Sequence, residues 1–230
     1  MDRDENFSSA YIHLYHGFQL VLSCDEWKTI QEDSTLITYE RNETVIKQGE
    51  RVHYVVWLEE GFVKLNINVH NRQHLLNVSG PGRFIGMSLM ITSSNHSVTI
   101  TSMTVCRVLL IKVETIRALV KRNGDFAYRI MENSTETMDH YLYNYILLEK
   151  RNNMHGRLAR ILLYFANHVY KADKFNILIR RDELADLILM SRENAIKVLN
   201  DFRKDDIITV RGKEIEILDM KKLEDLAEKA

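Results

Sequence analysis

RDELADLILMSRENAIKVLNDF, residues 181–202, decides how the C-terminal third of this chain folds. Ser191 stands where a helix N-cap is expected, and acidic Glu193 follows in the first turn. After this cap, apolar residues recur at the i, i+3, i+4 and i+7 spacing of a buried helix face, as Ala195, Val198, Leu199 and Phe202. The stretch therefore predicts two short helices joined by a tight turn.

The opposite edge of the second helix is polar. It carries Arg192, Glu193, Ile196, Lys197 and Asn200. An Arg side chain can donate two hydrogen bonds to guanine, and a Glu side chain can accept one from cytosine. This edge suits the reading of bases in duplex DNA. The alternative is a helical hairpin with an ordinary solvated charged face, and these residues alone leave both interpretations open.

The segment after this helix favours the DNA interpretation. Residues 207–210 and 214–218 predict a β-hairpin, and Arg211-Gly212-Lys213 forms its basic turn. A hairpin directly after a helix-turn-helix is a wing, and Arg211 and Lys213 at its tip are placed to contact phosphate. The final residues, MKKLEDLAEKA, predict a short amphipathic helix.

Four blocks of sequence occur in an order and at spacings that are specific in combination. They are ITYERNETVIKQGE (37–50), VVWLEEGFVKL (55–65), GPGRFIG (80–86) and DELADLILMSRENAIKVL (182–199). With these blocks, which extend over nearly the whole length, the chain resembles regulators of the Crp/Fnr family. These are bacterial transcription factors related to the catabolite activator protein.

The resemblance implies an α+β protein in three parts. Residues 1–122 would form an N-terminal helix and a β-roll, the jelly roll of cyclic-nucleotide-binding domains. Residues 123–152 would form a long dimerisation helix, and residues 153–230 a winged helix-turn-helix. The residues themselves agree, because short strand signals separated by Gly and Asn turns fill positions 36–112, and residues 8–33 have a helical pattern.

The resemblance also assigns roles on the recognition helix. In the family this helix begins Ser-Arg-Glu-Thr, and an Arg follows four residues after the Glu. Here the string is Ser191-Arg192-Glu193-Asn194, and Lys197 occupies the later position. Arg192 and Glu193 would read G and C in a TGTGA-like half-site. Lys197 keeps the charge but lacks the planar fork of Arg.

Two further contacts complete the predicted interface. Ile196 is placed to meet a thymine methyl group, and Arg181 to hold a phosphate. The predicted DNA-binding residues are Arg181, Ser191, Arg192, Glu193, Asn194, Ile196, Lys197, Asn200, Arg211 and Lys213. Leu189 departs from the family, which has Gly in the tight turn. If this position requires a positive φ, the Leu side chain costs roughly 1 kcal/mol or more.

A helical pattern without Gly or Pro begins near Phe126. Its apolar residues recur at three- and four-residue steps, as Met131, Met138, Tyr141, Leu142, Tyr145 and Leu148. This near-heptad spacing is typical of a helix that pairs with its copy, and family members dimerise through this helix. We therefore expect a homodimer that reads a palindromic site. The alternative is that the stripe packs on the chain's own β-roll.

The ligand position departs further from the family. In cyclic-nucleotide-binding relatives a Glu after Phe-Ile-Gly binds the ribose, and an Arg-Ser/Thr pair about ten residues later holds the phosphate. Here Met87 follows Gly86, and His96-Ser97 replaces the phosphate pair. Each charge-assisted hydrogen bond contributes about 1.5–3 kcal/mol, so tight cAMP binding is not expected. Gly86, Met87, Ser88, His96 and Ser97 would line either a pocket for another small effector or a vestigial pocket.

The composition of the chain limits which classes of protein it can belong to. The net charge of the 230 residues is −1, so affinity for DNA must come from local placement of Arg and Lys. Cys24 and Cys106 lack CxxC spacing, which indicates a reducing compartment and no disulfide framework. No apolar run reaches membrane-spanning length and no signal-peptide core is present. A cytoplasmic protein without membrane contact is expected.

The sequence contains none of the common motifs for catalysis or cofactor binding. HExxH, GxSxG and GxxxxGK[ST] are absent from the sequence. Two cysteines are too few for an iron–sulfur cluster, and His13-x-x-His16 has no third ligand nearby, so neither a cofactor nor a metal is expected. The expected partners are double-stranded DNA, a second copy of the chain, RNA polymerase and a small effector of unknown identity. The alternative function is a ligand-binding and dimerisation module whose helix-turn-helix contacts proteins.

Overall fold

The computed structural model describes residues 14, 17–18, 20–85, 87, 95–132, 134 and 153–228. The chain divides into two compact units. The first unit comprises residues 1–71 and 78–138, and the second comprises residues 72–77 and 139–230. No helix among the described residues is both long and apolar enough to cross a membrane.

Helices and β-strands up to residue 122 form a β-roll with flanking helices. The elements are α1 (Cys24–Glu32), β1 (Ser34–Tyr39), β2 (Thr44–Ile46), β3 (Tyr54–Glu60), β4 (Val63–Val69), β5 (Arg72–Ser79), β6 (Arg83–Ile85), β7 (Thr99–Ser102), β8 (Cys106–Lys112) and α2 (Val113–Arg122). Residues 124–132 are also helical. The strands pair in two four-stranded sheets with the orders β1-β8-β3-β6 and β2-β7-β4-β5. The predicted β-roll is confirmed.

The first of these sheets is apolar on both faces. The central strand β3 is buried at every position from Val55 to Glu59, since helices cover the face that points away from the roll. Trp57 on that face lies 4.8 Å from Phe84 between ring centroids. Phe18 lies 5.3 Å from Phe126 in the same aromatic cluster. This cluster fixes the start of the helix at residues 124–132 against the sheet.

The predicted helix over residues 8–33 is interrupted. Residues 20–23 are not helical, and α1 begins after Ser23. The Ser23 hydroxyl accepts from the Glu26 backbone N–H, and the Glu26 carboxylate accepts from the Ser23 backbone N–H, in a reciprocal capping box. A new helix therefore starts at this point in place of a continuous one.

A second break between helices lies at Asn123, between α2 and the helix at residues 124–132. Its side-chain oxygen accepts from the Phe126 backbone N–H at 2.9 Å. Its amide donates to the Val21 carbonyl at 2.8 Å and to the Glu26 carboxylate at 3.0 Å. Asn123 thus ends α2, begins the next helix and ties both to the N-terminal segment.

The turn between β3 and β4 shows why Gly61 is required. Its φ is +89°, and an added Cβ would collide with the Val105 carbonyl oxygen and with Cys106 Sγ. Only glycine has both the conformational freedom and the small size for this site. Gly61 therefore has a structural role, in agreement with the expectation of turn geometry.

The C-terminal segment forms a winged helix-turn-helix, as predicted. Its elements are α3 (Met154–Tyr164), a π-helix (Phe165–Val169), β9 (Lys174–Asn176), α4 (Arg181–Leu187), α5 (Arg192–Lys204), β10 (Ile208–Arg211), β11 (Glu214–Ile217) and α6 (Met220–Glu228). β10 and β11 are the predicted wing. β9 adds a third strand beside β11, which the sequence patterns did not predict because β9 has only three residues.

Candidate nucleic-acid interface

The helix-turn-helix is built from α4 and α5. The Ser191 hydroxyl accepts from the Asn194 backbone N–H at 3.2 Å and caps α5, as predicted. The inner face of α5 is buried at all the expected positions, Ala195, Val198, Leu199 and Phe202. This packing fixes which edge of α5 faces outward.

Leu189 adopts the left-handed conformation in the turn, with φ +46°. Its side chain is 56% exposed, so little packing compensates the strain. Arg157 Nη1 in α3 donates to the Leu189 carbonyl at 3.1 Å. The turn thus keeps the geometry that glycine would provide, and a side chain from outside the helix-turn-helix holds it in place.

The outer edge of α5 presents the predicted base-reading side chains. Arg192, Glu193, Ile196 and Lys197 are exposed, and Asn194 and Asn200 are partly buried. Hydrogen bonds from its own backbone N–H and from the Ser191 hydroxyl lower the pKa of the Glu193 carboxyl. An ionised carboxylate only accepts hydrogen bonds. Glu193 is therefore suited to a donor such as the cytosine amino group.

The turn of the wing exposes two cations. Arg211 and Lys213 are exposed on either side of Gly212, whose φ is +63°. The predicted phosphate contact of Arg181 assumes a guanidinium that faces solvent, but the structure places this group against the wing. Its Nη2 donates to the Gly212 carbonyl at 3.1 Å, and burial lowers the pKa of its guanidinium. The geometry gives Arg181 a contact that holds the wing turn against the start of α4.

Acidic residues on the wing are compensated by a residue that the sequence patterns missed. Lys174 on β9 lies 3.1 Å from the Glu214 carboxylate and 3.6 Å from the Glu216 carboxylate. The hydrogen bond to Glu214 and the charges of both carboxylates raise the pKa of Lys174. No local pattern could have paired residues 40 positions apart.

In the β-roll, Met87 and His96 are both 5% exposed. His96 is held by its backbone, because its N–H donates to the Glu50 carbonyl and its carbonyl accepts from the Gly49 N–H, each at 2.8 Å. Burial lowers the pKa of the His96 imidazole from its ordinary value of 6.5; Glu50 opposes this shift and His53 adds to it. The imidazole is therefore largely uncharged at neutral pH.

Two other predicted lining residues, Gly86 and Ser88, lie outside the described residues. Ser97 is described, and its hydroxyl is buried without a hydrogen-bond partner among the described residues. A buried hydroxyl in this state costs free energy unless another group satisfies it. Of the five lining residues, the structure thus places Met87, His96 and Ser97.

Only part of the predicted dimer seam falls within the described residues. Met131 is 64% exposed, and Tyr128, three residues earlier, is also 64% exposed. Residues three apart lie on one side of a helix, so these two form an exposed apolar strip. The remaining seam residues lie outside the described part of the chain, namely Met138, Tyr141, Leu142, Tyr145 and Leu148.

Metal chemistry has no support among the described residues, which contain no group of three or more His, Cys, Asp or Glu that could hold a metal ion. His13 and His16 lie outside them. Cys24 is exposed, and Cys106 is buried. The Cys106 thiol donates to the Phe62 carbonyl at 3.2 Å, which gives it a packing role beside Gly61.

Comparison with known proteins gives matches to both parts of the chain. A family model for the cyclic nucleotide-binding domain matches residues 36–123, and a model for the Crp-like helix-turn-helix domain matches residues 156–226. The cAMP-activated global transcriptional regulator CRP of Salmonella typhimurium is 25% identical over 187 residues, which are 77% of this chain and 86% of that protein. The Klebsiella aerogenes regulator of the same name gives the same identity and coverage.

Solved structures share the fold at lower identity. FixK2 from Bradyrhizobium japonicum has a TM-score of 0.74 at 18% identity, covering 84% of this chain and 96% of that chain. The c-di-GMP responsive regulator CLP from Xanthomonas campestris has a TM-score of 0.66 at 20% identity, covering 85% and 99%. With both domain models in the predicted order and the capped recognition helix in place, this chain belongs to the Crp/Fnr family of transcription regulators and carries its helix-turn-helix DNA-binding domain.

Proposed function

We propose that the protein is a homodimeric regulator that binds a palindromic DNA site and does not respond to cAMP. One observation carries the DNA part of this proposal. The capped N-terminal turns of α5 expose Arg192, Glu193 and Lys197 on one edge, while the apolar face opposite is fully buried. A helix of this kind fits the major groove with its N-terminal residues against base edges.

The proposed base contacts follow from the chemistry of these side chains. Arg192 would donate to guanine, and Glu193 would accept from cytosine, each contributing about 1–3 kcal/mol of discrimination. Ile196 would contact a thymine methyl group, and Lys197 would add a single charged donor. Ser191, Asn194 and Asn200 border this edge. Their contacts would be to phosphate and to neighbouring base edges.

The wing would add contacts to the DNA backbone. Arg211 and Lys213 would bind phosphate, and Arg181 would act mainly by holding the Gly212 turn in place. Phosphate contacts fix the orientation of the protein but do not distinguish sequences. We therefore expect substitutions at Arg211 and Lys213 to weaken binding to all duplexes alike.

Dimerisation would align two such helices. The exposed strip of Tyr128 and Met131 supports pairing through this helix, and the near-heptad pattern extends in the sequence through residues 138–148. A two-fold dimer places its recognition helices about 34 Å apart, one turn of DNA. The dimer would act in the cytoplasm, where bacterial DNA lies, with RNA polymerase as the expected partner.

The β-roll would serve as a scaffold or as a sensor of a ligand other than cAMP. A phosphate needs a permanent cation, and the buried His96 supplies a largely neutral imidazole. Met87 likewise has no acceptor for a ribose hydroxyl. A ligand shifts the dimer between states only as far as its affinities for the two states differ.

Fluorescence anisotropy on a palindromic TGTGA-type duplex, at one fixed salt concentration, tests the proposal. The unsubstituted protein should prefer this duplex over a scrambled one, with or without cAMP. An R192A/E193A double variant should lose about 100-fold or more of this preference, while K204A, which removes a charge from the last turn of the same helix, should keep it. Equal binding of the double variant would contradict base reading by α5 and would favour protein contacts.

A further inference from the structure

The first turn of α3 holds the recognition helix near both of its ends. Arg157 Nη1 donates to the Leu189 carbonyl, three residues before α5, at 3.1 Å. His155 Nε2 lies 3.1 Å from Asp201 Oδ2 in the third turn of α5. His155 also packs against Phe202, with 5.8 Å between ring centroids. The 13 residues of α5 extend about 20 Å along the helix axis.

Contacts at two such distant points control the tilt of a helix. The apolar face of α5 sets how deeply the helix packs, but apolar contacts have no preferred direction. Hydrogen bonds lose strength within a few tenths of an ångström or a few tens of degrees. A slack of about 1 Å at the Asp201 end of α5 would displace Lys197 and Asn200 by about 0.5 to 1 Å, more than the few tenths of an ångström that a hydrogen bond to a base tolerates.

The position of α3 along the chain adds to its importance. Asn153 caps α3 by accepting from the Gly156 backbone N–H at 3.2 Å. Residues 135–152, which precede it, connect this unit to the β-roll in sequence. The first turn of α3 is thus where the described part of the C-terminal segment begins.

We propose that His155, through its contact with Asp201, is a positioning residue that sets the tilt of the recognition helix and thereby its discrimination between DNA sequences. Arg157 holds the opposite end of the helix at the Leu189 turn. This inference rests on the proposed DNA reading by α5. It assigns sequence discrimination to a side chain that does not itself touch DNA.

Substitutions at both partners test the contact by anisotropy on the specific and scrambled duplexes. H155L removes the hydrogen bond but keeps an apolar side chain against Phe202, and D201A removes the contact from the α5 side. H155Q places an amide nitrogen close to the position of Nε2 and can still donate. H168L is the matched control, because His168 lies in the π-helix and stacks on Tyr164.

We expect H155L and D201A each to lose about 3- to 10-fold in the ratio of specific to non-specific affinity, the effect of losing one hydrogen bond. The H155L/D201A double variant should lose no more than either single variant, since both remove one contact. H155Q and H168L should stay within about 2-fold of the unsubstituted protein. Thermal melting confirms that each variant is folded at the assay temperature.

Three results would overturn the inference. They are unchanged discrimination in both single variants, additive losses in the double variant, and a loss in H155Q equal to that in H155L. If only H155L fails to fold, the discrimination of D201A and H155Q between the two duplexes tests the inference. Failure of the proposed function has a different signature, because the unsubstituted protein would then show no preference for the specific duplex, and both proposals would fall.

Discussion

The recognition helix has the Ser-Arg-Glu string that the resemblance to Crp-like regulators predicts, whereas the β-roll has the predicted strands but, on the same resemblance, not the charged residues of a cyclic-nucleotide site. Arg192 and Glu193 are exposed on a buried frame. In the β-roll, Met87 and His96 are 5% exposed, and the resemblance to cyclic-nucleotide-binding relatives predicts Glu and Arg at these positions. The two regions show that a fold and the chemistry it supports are retained separately.

The largest expected effect is on the affinity of the β-roll for cAMP. We expect cAMP to bind this protein at least about 100-fold more weakly than the Salmonella typhimurium relative, because two charge-assisted contacts are missing. Isothermal titration of both proteins in one buffer measures the difference. Comparable affinities would show that other residues of the roll hold the nucleotide, and the contrast between the two regions would fail.

A smaller effect is expected in the tight turn of the helix-turn-helix, where Leu189 occupies the position at which the resemblance predicts Gly. L189G should stabilise the protein by about 1 kcal/mol, since the left-handed conformation that Leu189 adopts costs a residue with a Cβ about that much. Urea unfolding measures the change. L189A keeps the Cβ and the strain, so it is the control and should show no such gain. A destabilised L189G would mean that the Leu side chain contributes packing that outweighs the strain.

The smallest expected effect concerns His96. Its folded-state pKa is below the ordinary value of 6.5 because of burial, with Glu50 opposing and His53 adding to the shift. Below pH 6.5 the unfolded chain binds a proton that the folded protein excludes, so this contribution to stability is complete above pH 6.5 and decreases as the pH falls toward the folded pKa.

Urea unfolding of the unsubstituted protein and of H96Q on both sides of pH 6.5 isolates this contribution. The stability difference between the two proteins should shift in favour of H96Q as the pH falls. A difference that is constant with pH would show that His96 is not buried in its neutral form.

Local sequence patterns predicted the elements of the DNA-binding unit, but not the contacts between them. Periodicity located the buried face of α5, and alternation located the two strands of the wing. The Arg181–Gly212 contact spans 31 positions and the His155–Asp201 contact spans 46. Such pairs depend on how elements pack in three dimensions, which the spacing of apolar residues does not encode.

The β-roll illustrates the same limit. Its strands followed from short apolar runs, yet β6 (Arg83–Ile85) has only three residues and directly follows the Gly-Pro-Gly of residues 80–82, so no such run marks it. The replaced ligand residues were recognisable by comparison with a family pattern. Their burial, and the direction of the His96 pKa shift, required the packed structure.

The compensated charges of the wing have a consequence for how the protein finds its site in a genome. Lys174 offsets Glu214 and Glu216, and the chain as a whole has a net charge of −1. Weak non-specific attraction to phosphate shortens each sliding event along DNA. A regulator of this kind would search by frequent dissociation and rebinding, and its occupancy of a promoter would depend more on the number of molecules in the cell than on capture from neighbouring DNA.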